Sequence, residues 1–336
     1  MAADAINATW NVIGNREDLS DILTNISPTA TPFFSSIGRS TARSINHEWQ
    51  TDTLPTAVKT NAVTEGASAI NVSAGITTRL GNRTQIFQAM VCISNTQIDG
   101  MNTAGRSNEW AYQMKRASMA MARDIEMSLV QNSAMLTAEA SAVAPRLEGL
   151  GLWDQGGEVS GTAAGWLSGN WIAGSLALGV TGGVGASLSG RATMTETIFN
   201  NLLQGIWNNG GRPNMILVGG GLKRVISSFS ANATRYSSVS TGDKVLAGSV
   251  SVYESDFGMV EMRLSNFVGA TCLGAIETQY FKVAELRGLN FSRLAKDGDR
   301  ERGQFVYEAT LAAYAPLSSG RLTHMASAVG ATAAFA

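Results

Sequence analysis

The clearest periodic pattern in the chain lies between residues 105 and 135. Apolar residues recur there at i, i+4 and i+7 positions, with most of the charged residues off the stripe. The stripe consists of Trp110, Met114, Ala117, Met121, Ile125 and Leu129. This spacing predicts an amphipathic helix, and about 30 residues at 1.5 Å each would form a rod of roughly 45 Å. Five of the thirteen methionines lie in it, which is typical of adaptable core packing rather than a cofactor site.

Two strand-like segments, residues 47–51 and 84–93, precede this helix. The second is rich in β-branched and aromatic residues. Between them, residues 53–83 are mainly Thr, Ala, Asn and Gly, with few large apolar side chains. A connection of this length without a core of its own is usually functional or disordered. The pattern therefore predicts a long hairpin that cannot bury itself.

The first 45 residues have the pattern of an extended arm with one short helix. Residues 17–23 place acidic residues in a first turn and apolar residues after them. Pro28 and Pro32 favour extended backbone at the residues before them. The pair Phe33 and Phe34 then requires an apolar surface, supplied either by the chain's own core or by a neighbouring copy.

From residue 146 onward the pattern is α/β. Thr193-Met194-Thr195-Glu196 predicts a capping box opening a helix, with apolar residues on one face and an Asn-Asn-Gly-Gly stop at 208–211. The strand at 215–218 is followed by three glycines and a second helix at 222–229. Further strands are predicted at residues 249–254, 259–264, 271–276, 279–284 and 304–311. No internal repeat is visible.

Composition narrows the class of protein. The formal charge is 25 − 26 = −1, which excludes the basic footprint of a dedicated nucleic-acid binder. Charged residues make up only 15% of the chain, against about 25% in ordinary soluble domains. Because the centres of protein interfaces are depleted in charge, a chain that hides much of its surface against copies of itself is favoured.

Cysteine usage and the termini narrow the cellular setting. Cys92 and Cys272 are too few for a disulfide scaffold and indicate free thiols in a reducing compartment. The N-terminus carries no secretory pattern. The uncharged stretch 159–190 contains nine glycines, too many for a membrane-spanning helix, so we expect a soluble protein.

The residues offer little for catalysis. His47 and His324 have no second ligand at metal spacing, and no zinc or nucleophile motif is present. The alternating acids of residues 297–301 match only the start of a calcium loop. We therefore expect no metal, no cofactor and no enzymatic activity.

Two features of the sequence, the turn from Gly219 to Lys223 and the residue Lys59, each have more than one interpretation. The turn from Gly219 to Lys223 follows a strand and precedes a helix, where backbone N–H groups can hold a phosphate. It lacks the full nucleotide-binding patterns, so tight turning is the competing explanation. Lys59, on the predicted hairpin two residues from Asn61, is solvated, forms an intersubunit ion pair, or is cross-linked to an asparagine.

The order of arm, long hairpin, long helix and α/β segments resembles the major capsid proteins of tailed double-stranded-DNA bacteriophages. The segments that carry the resemblance cover most of the chain in the right order. They are NREDLSDI at 15–22, PFF at 32–34, EWQTD at 48–52, EGA at 65–67, NRTQIF at 82–87, RDIE at 123–126, YESDFG at 253–258, LAKDGD at 294–299, YEATL at 307–311 and LSSG at 317–320.

The resemblance implies the α+β phage capsid fold, shared with encapsulins and the herpesvirus capsid floor. It implies five parts in this chain. These are an N-terminal arm at 1–45, an extended β-hairpin loop at 46–98, a peripheral domain with the spine helix at 99–164, an axial domain at 165–264, and the second segment of the peripheral domain at 265–336. The family pattern gives no support at 156–190, which elaborates the axial domain, receives a decoration protein, or contacts nothing.

The function implied is mechanical. Copies would form hexamers and pentamers of an icosahedral head, assembled in the bacterial cytoplasm, with portal, scaffolding and decoration proteins as partners and non-specific contact with packaged DNA. Phe33, Phe34 and Trp49 are the candidate anchors in a neighbouring subunit. Lys59, Arg79 and Arg83 are the candidate cations of intersubunit ion pairs, with Glu126 or Asp299 as their acids. The alternatives are an encapsulin-like shell around protein cargo, and an α/β enzyme that binds a phosphorylated ligand at Gly219–Lys223.

Overall fold

A computed structural model gives the fold. It describes residues 30–52, 54, 56–68, 76–99, 108–137, 144–152, 166–167, 171–173, 192–229, 251–296, 298–323 and 325–326. Its helices are α1 (Pro32–Ser36), α2 (Asn95–Asp99), α3 (Glu109–Gln131), α4 (Glu196–Asn208) and α5 (Gly220–Ser227). Its strands are β1 (Gly38–Thr41), β2 (Asn46–Thr51), β3 (Thr78–Arg83), β4 (Gln85–Ser94), β5 (Trp171–Ala173), β6 (Ala192–Thr193), β7 (Met215–Val218), β8 (Val252–Ser255), β9 (Gly258–Leu264), β10 (Leu273–Ile276), β11 (Phe281–Arg293), β12 (Arg300–Ala313), β13 (Gly320–Thr323) and β14 (Met325–Ala326).

Helix α3 confirms the predicted amphipathic rod. The side chain of Asn108 caps its start by accepting a hydrogen bond from Ala111 N at 3.0 Å. Its 23 described residues correspond to a length of about 35 Å. The apolar stripe enters the larger core, where Met121, Ile125 and Leu129 are buried.

A sheet in the order β1-β11-β12-β4 lies beside α3. Strands β11 and β12 form a long antiparallel pair, from Phe281↔Ala313 at one end to Arg293↔Gly303 at the other. The strand predicted at 279–284 differs from β11 at both ends. Residues 278–280 form a 3₁₀ turn, so the strand begins at Phe281, and it continues beyond residue 284 to Arg293. Alternating burial along β4 confirms a strand with one face on the core.

The second large sheet has the order β5-β13-β10-β7-β9-β8. Every residue of β7 is buried because both faces of the sheet are covered. Met215 and Leu217 pack on the core that contains α3, and Ile216 and Val218 pack on the core formed with α4 and α5. The two cores therefore share this sheet.

This sheet contains strands from both sides of the predicted division between residues 264 and 265. Strands β10 and β13 come from the segment that was assigned to the peripheral domain, yet they pair with β7 and with each other. All four residues of β10 are buried, so this strand needs cover on both faces, which the sheet's centre supplies. The chain thus leaves this sheet after β10, forms the β11–β12 pair, and returns in β13.

Helix α4 starts two residues later than the capping box predicts, since that pattern would place the N-cap at Thr193. Its N-cap is Thr195, whose hydroxyl accepts a hydrogen bond from Ile198 N at 3.3 Å. It ends at Asn208 as predicted, and Gly210 adopts a φ of 84°, a conformation that favours glycine. Helix α5 begins at Gly220, two residues before its predicted start.

Several predictions fall outside the described residues. The short helix at 17–23, Asp297 and His324 belong to this group, as does nearly all of the glycine-rich stretch 156–190.

Candidate assembly surfaces

The predicted hairpin is a two-stranded ribbon whose base is fixed to the core. Strands β2 and β3 pair from Asn46↔Arg83 to Thr51↔Thr78. The indole of Trp49 is buried, and its Nε1 donates a hydrogen bond to Ala313 O at 2.9 Å. Its ring lies 5.3 Å from the ring of Trp166 and 5.9 Å from that of Tyr314, centroid to centroid. Trp49 therefore packs within its own chain, and its role as an anchor in a neighbouring subunit stays a prediction.

Asn82 is a second anchor of the ribbon, and the sequence analysis missed it. Its side chain is 1% exposed, and its Nδ2 donates to Leu311 O and to Glu148 O, both at 2.8 Å. Its Oδ1 accepts from Glu148 N at 2.9 Å. Three directed hydrogen bonds in a buried site orient the base of the ribbon. An asparagine within a polar strand gives no signal of such a role in the sequence alone.

Beyond its base, the ribbon leads to a connection with exposed apolar side chains. Leu54 is 93% exposed and Ile76 is 94% exposed. Val58 and Val63 are also largely exposed. Burying a side chain of this kind stabilises a structure by about 1.5–3 kcal/mol, and Leu54 and Ile76 gain very little of that within the described part of their own chain.

The basic residues predicted for intersubunit pairing have different surroundings. Arg79 forms an exposed ion pair with Glu48 on the facing strand. Arg83 Nη1 donates to Thr137 O at 2.7 Å. Partners of Arg79 and Arg83 thus lie within the same chain, because the ribbon places cross-strand and core groups beside them. Lys59 lies exposed on the connection.

The end of the arm docks through a buried carboxylate. Glu126 of α3 is fully buried, and its Oε1 and Oε2 accept hydrogen bonds from Phe33 N at 2.9 Å and Phe34 N at 2.7 Å. The ring of Phe33 has no exposed surface and meets the ring of Phe281 edge-on, with centroids 6.2 Å apart. Phe33 and Glu126 therefore hold the arm to its own subunit. The predicted roles of Phe33 as a cross-subunit anchor and of Glu126 as an acid in an intersubunit ion pair stay predictions.

Phe34 is only half-buried and lies at the edge of a polar cluster. The Arg39 guanidinium carbon is 3.7 Å from its ring centroid. Arg39 Nη1 donates to Glu285 Oε1 at 3.1 Å, and the Tyr307 hydroxyl donates to the same oxygen at 2.9 Å. Burial and the neighbouring Glu285 raise the pKa of Tyr307, so its hydroxyl stays a donor to Glu285. This cluster ties β1 to β11 and β12.

Asp299 lies on the exposed connection between β11 and β12. Its Oδ1 accepts a hydrogen bond from Asn95 Nδ2 at 2.7 Å, and Asn95 N donates to its backbone oxygen at 3.4 Å. The structure therefore places Asp299 beside α2, distant in the chain from Lys59 and the ribbon. Its role in an intersubunit ion pair stays a prediction.

Burial also gives Glu126 a distinctive pH dependence. Burial raises its pKa from 4.5, against the opposing effect of the two backbone N–H donors. The folded state therefore binds this proton more tightly than the unfolded state. The part of the free energy of unfolding that comes from this tighter proton binding is fully present below about pH 4.5, and it is lost as the pH rises through the folded-state pKa of Glu126.

We expect Glu126→Gln to remove this dependence. The loss in free energy of unfolding caused by the substitution should be larger at pH 4 than at pH 7, as measured by urea denaturation of unassembled subunits. Glu254→Gln, on the exposed part of β8, controls for the loss of one negative charge. A cost of Glu126→Gln that is constant with pH, or that grows as the pH rises, would contradict this assignment.

The strand-to-helix turn at Gly219 has a packing explanation. A Cβ at Gly219 would lie 3.2 Å from Gly269 O and 3.4 Å from Val268 O, so the glycine permits a close approach of backbone. Lys223 Nζ lies 3.4 Å from the Met262 sulfur, and burial lowers the pKa of this lysine. Its ammonium group therefore lies against the Met262 side chain of β9, an arrangement that does not favour phosphate binding.

The described residues contain no group of three or more His, Cys, Asp or Glu side chains placed to hold a metal ion. Among the helices of the described part of the chain, none is both long enough and apolar enough to cross a membrane.

A family model and a phage relative that match this chain are both described as major capsid proteins. The model of the family described as SU10 major capsid protein matches residues 5–326. A major capsid protein of Escherichia phage Phieco32 is 29% identical over 134 residues, which cover 40% of this chain and 38% of that protein. That match thus spans well under half of the relative's length.

Solved capsid structures share the fold at low sequence identity. The capsid of a native GTA particle has a TM-score of 0.58 at 12% identity, covering 97% of this chain and 99% of that chain. A structure from Mycobacterium phage Cain has a TM-score of 0.52 at 13% identity, covering 92% and 95%. A phage G structure described as gp27 major capsid proteins and gp26 decoration proteins has a TM-score of 0.52 at 9% identity, covering 96% and 100%. These likenesses confirm the expected α+β capsid fold.

Proposed function

The chain belongs to the SU10 major capsid protein family and is a structural capsid protein, and from this premise we propose how it builds a shell. Copies assemble into hexamers and pentamers of an icosahedral head that encloses double-stranded DNA. The proposal keeps the implied division into an arm at 1–45 and an extended loop at 46–98. For residues 99–336 we propose a division that groups each strand with the sheet in which it pairs. Strands β10 and β13 are then grouped with β7, rather than being separated from it at residue 264.

The proposal rests on the exposed apolar side chains of the connection, which follows a ribbon whose base is held in the core. Trp49 and Asn82 hold the base of the ribbon in the core, while Leu54 and Ile76 are almost fully exposed. Uncovered apolar residues beyond the ribbon are unfavourable in a monomer, because exposed apolar surface favours aggregation. A shell covers those residues on the next subunit.

The long sheet offers a surface on which the connection can lie. Ile86 and Met90 of β4 and Leu289 of β11 are more than half exposed. We propose that residues 52–77 of one subunit lie over this face of the adjacent one. Lys59, on the same connection, would then come within reach of acidic groups such as Asp299 of the neighbour.

Packaged DNA contacts such a shell only non-specifically. The formal charge of −1 provides no excess of cations to neutralise phosphates. Portal, scaffolding and decoration proteins are the partners that an icosahedral phage head implies, and the bacterial cytoplasm is where it assembles. The role is mechanical rather than enzymatic.

Velocity sedimentation of the purified full-length chain tests the proposal. We expect fast-sedimenting particles in equilibrium with a slow subunit peak, with the particle fraction rising steeply with protein concentration. A single monomer peak at all concentrations would contradict it. Nuclease-resistant DNA in particles isolated from an infected host supports a phage head, whereas protein cargo without DNA would favour the encapsulin-like alternative.

A further inference from the structure

Strand β4 ends the long sheet with an open edge. It pairs with β12 on one side, from Gln85↔Ala309 to Ser94↔Arg300. On its other side no strand pairs with it in the part of the chain that the structure describes. Ten residues correspond to about 33 Å of unpaired backbone donors and acceptors. Proteins cover or block edges of this length, because they recruit other strands.

A groove runs along this edge. It has a volume of about 270 Å³ and is lined by β4 residues and by one side of α3. The lining residues are Met90, Val91, Cys92, Gln113, Arg116, Ala117 and Ala120. Met90 is 60% exposed, and the two alanines leave room beside the helix. The groove therefore combines a strand edge with a shallow apolar wall.

The start of the chain carries a matching pattern. Residues 6–12 read Ile-Asn-Ala-Thr-Trp-Asn-Val, with apolar residues at every even position and polar residues at every odd one. Strict alternation over this length is typical of a strand with one buried face. Seven residues extend to about 23 Å, which fits within the open edge of β4.

The charges of the two segments, and the length of the chain that leads to residues 6–12, favour the same pairing. Residues 1–29 contain one arginine and four acids, a side-chain charge of 1 − 4 = −3. The wall of the groove presents Arg116, with Lys115 exposed next to it. Residues 13–29 extend to at most about 60 Å, so the segment can leave the subunit that holds Phe33.

We propose that residues 6–12 of one copy add as a strand to the free edge of β4 in a second copy. The even-numbered apolar side chains face Ala117 and Ala120 of α3, and the odd-numbered polar side chains face outward with Cys92. Main-chain hydrogen bonds supply the affinity and the groove sets the register, as in other strand additions. This inference rests on the proposed shell, because only an assembly supplies the second copy.

The native Cys92 provides the test. It is exposed and free, and opposing residues of paired strands have Cα atoms about 4.5–5.5 Å apart, within disulfide range. The variants Asn7→Cys, Thr9→Cys and Asn11→Cys are assembled, mildly oxidised and analysed on non-reducing denaturing gels. We expect at least one of them to form cross-linked oligomers. Ala8→Cys, whose side chain faces the helix, should form none.

The outcomes separate the possibilities. The cross-links should disappear when Cys92→Ser is added to the positive variant. Particles without any cross-link at positions 7, 9 and 11 would overturn the inference and leave the proposed function standing. Cross-links confined within single chains would assign the groove to the chain's own arm and overturn pairing between copies. Absence of particles from the wild-type chain would contradict the proposed function and the inference with it.

Hydrogen exchange gives a second measurement that needs no variant. On assembly of the wild-type chain, amides of Gln85–Ser94 on the open edge should become protected, relative to dissociated subunits. Unchanged exchange throughout this strand in assembled particles would overturn the pairing.

Discussion

Replacing Leu54 and Ile76 together with serine is expected to abolish shell assembly and leave the subunit folded. Both side chains are more than nine-tenths exposed in the subunit, so their loss should change the free energy of unfolding by less than about 0.5 kcal/mol. If both are buried on the next subunit, each contributes about 1.5–3 kcal/mol there. Their combined loss of roughly 3–6 kcal/mol per contact raises the protein concentration needed for assembly roughly 100- to 10,000-fold.

Sedimentation across a concentration series measures this shift directly. Asn61→Ser is the matched control, since it changes an exposed polar residue of the same connection and should assemble as the wild type does. Assembly of the double serine variant at the wild-type concentration would show that these apolar residues are not covered by a neighbour. Urea denaturation of the unassembled variant checks that its fold is intact.

Phe33→Ala is expected to have the largest effect on the stability of the subunit itself. The ring is fully buried between the end of the arm and β11, and removal of a buried phenylalanine side chain costs about 3–5 kcal/mol. Phe34→Ala is the matched control. Its half-exposed ring contacts Arg39, and its loss should cost about 1 kcal/mol.

The two phenylalanine variants distinguish an anchor within the chain from an anchor between chains. Urea denaturation of unassembled subunits should show a much lower midpoint for Phe33→Ala than for Phe34→Ala. Equal midpoints, together with loss of assembly in Phe33→Ala alone, would return Phe33 to a role in a neighbouring subunit.

Elements with strong local signals were predictable from the sequence. The stripe of α3, the buried strand β7 and the glycine stop after α4 each depend on residues close together in the chain. The capsid family was also identifiable, because short motifs recur in the right order from Asn15 to Gly320. The family model, which matches residues 5–326, confirms this resemblance.

The roles of single side chains were less predictable, because they depend on contacts between distant residues. Glu126 and Phe33 are 93 residues apart, and no pattern in either segment shows that a carboxylate on α3 holds the arm. Asn82 reaches Leu311 across 229 residues. The sequence favours Phe33 and Trp49 as large buried aromatics, but it does not show which subunit supplies the surface they contact.

The division of the chain after residue 264 stays a prediction, and the sequence pattern does not indicate that one sheet contains strands from both sides of it. Strands β10 and β13 are short and contain no signal for the sheet they join. Their pairing with β7 and with each other arises only when the chain returns from the long β11–β12 pair.

Cryo-electron microscopy of particles assembled from the whole chain would show the contacts between subunits. We predict a closed icosahedral shell of hexamers and pentamers, in which residues 52–77 of each subunit lie on the long sheet of an adjacent subunit with Leu54 and Ile76 covered. Particles in which this connection folds back on its own subunit, or a sample that contains only dispersed monomers, would contradict it.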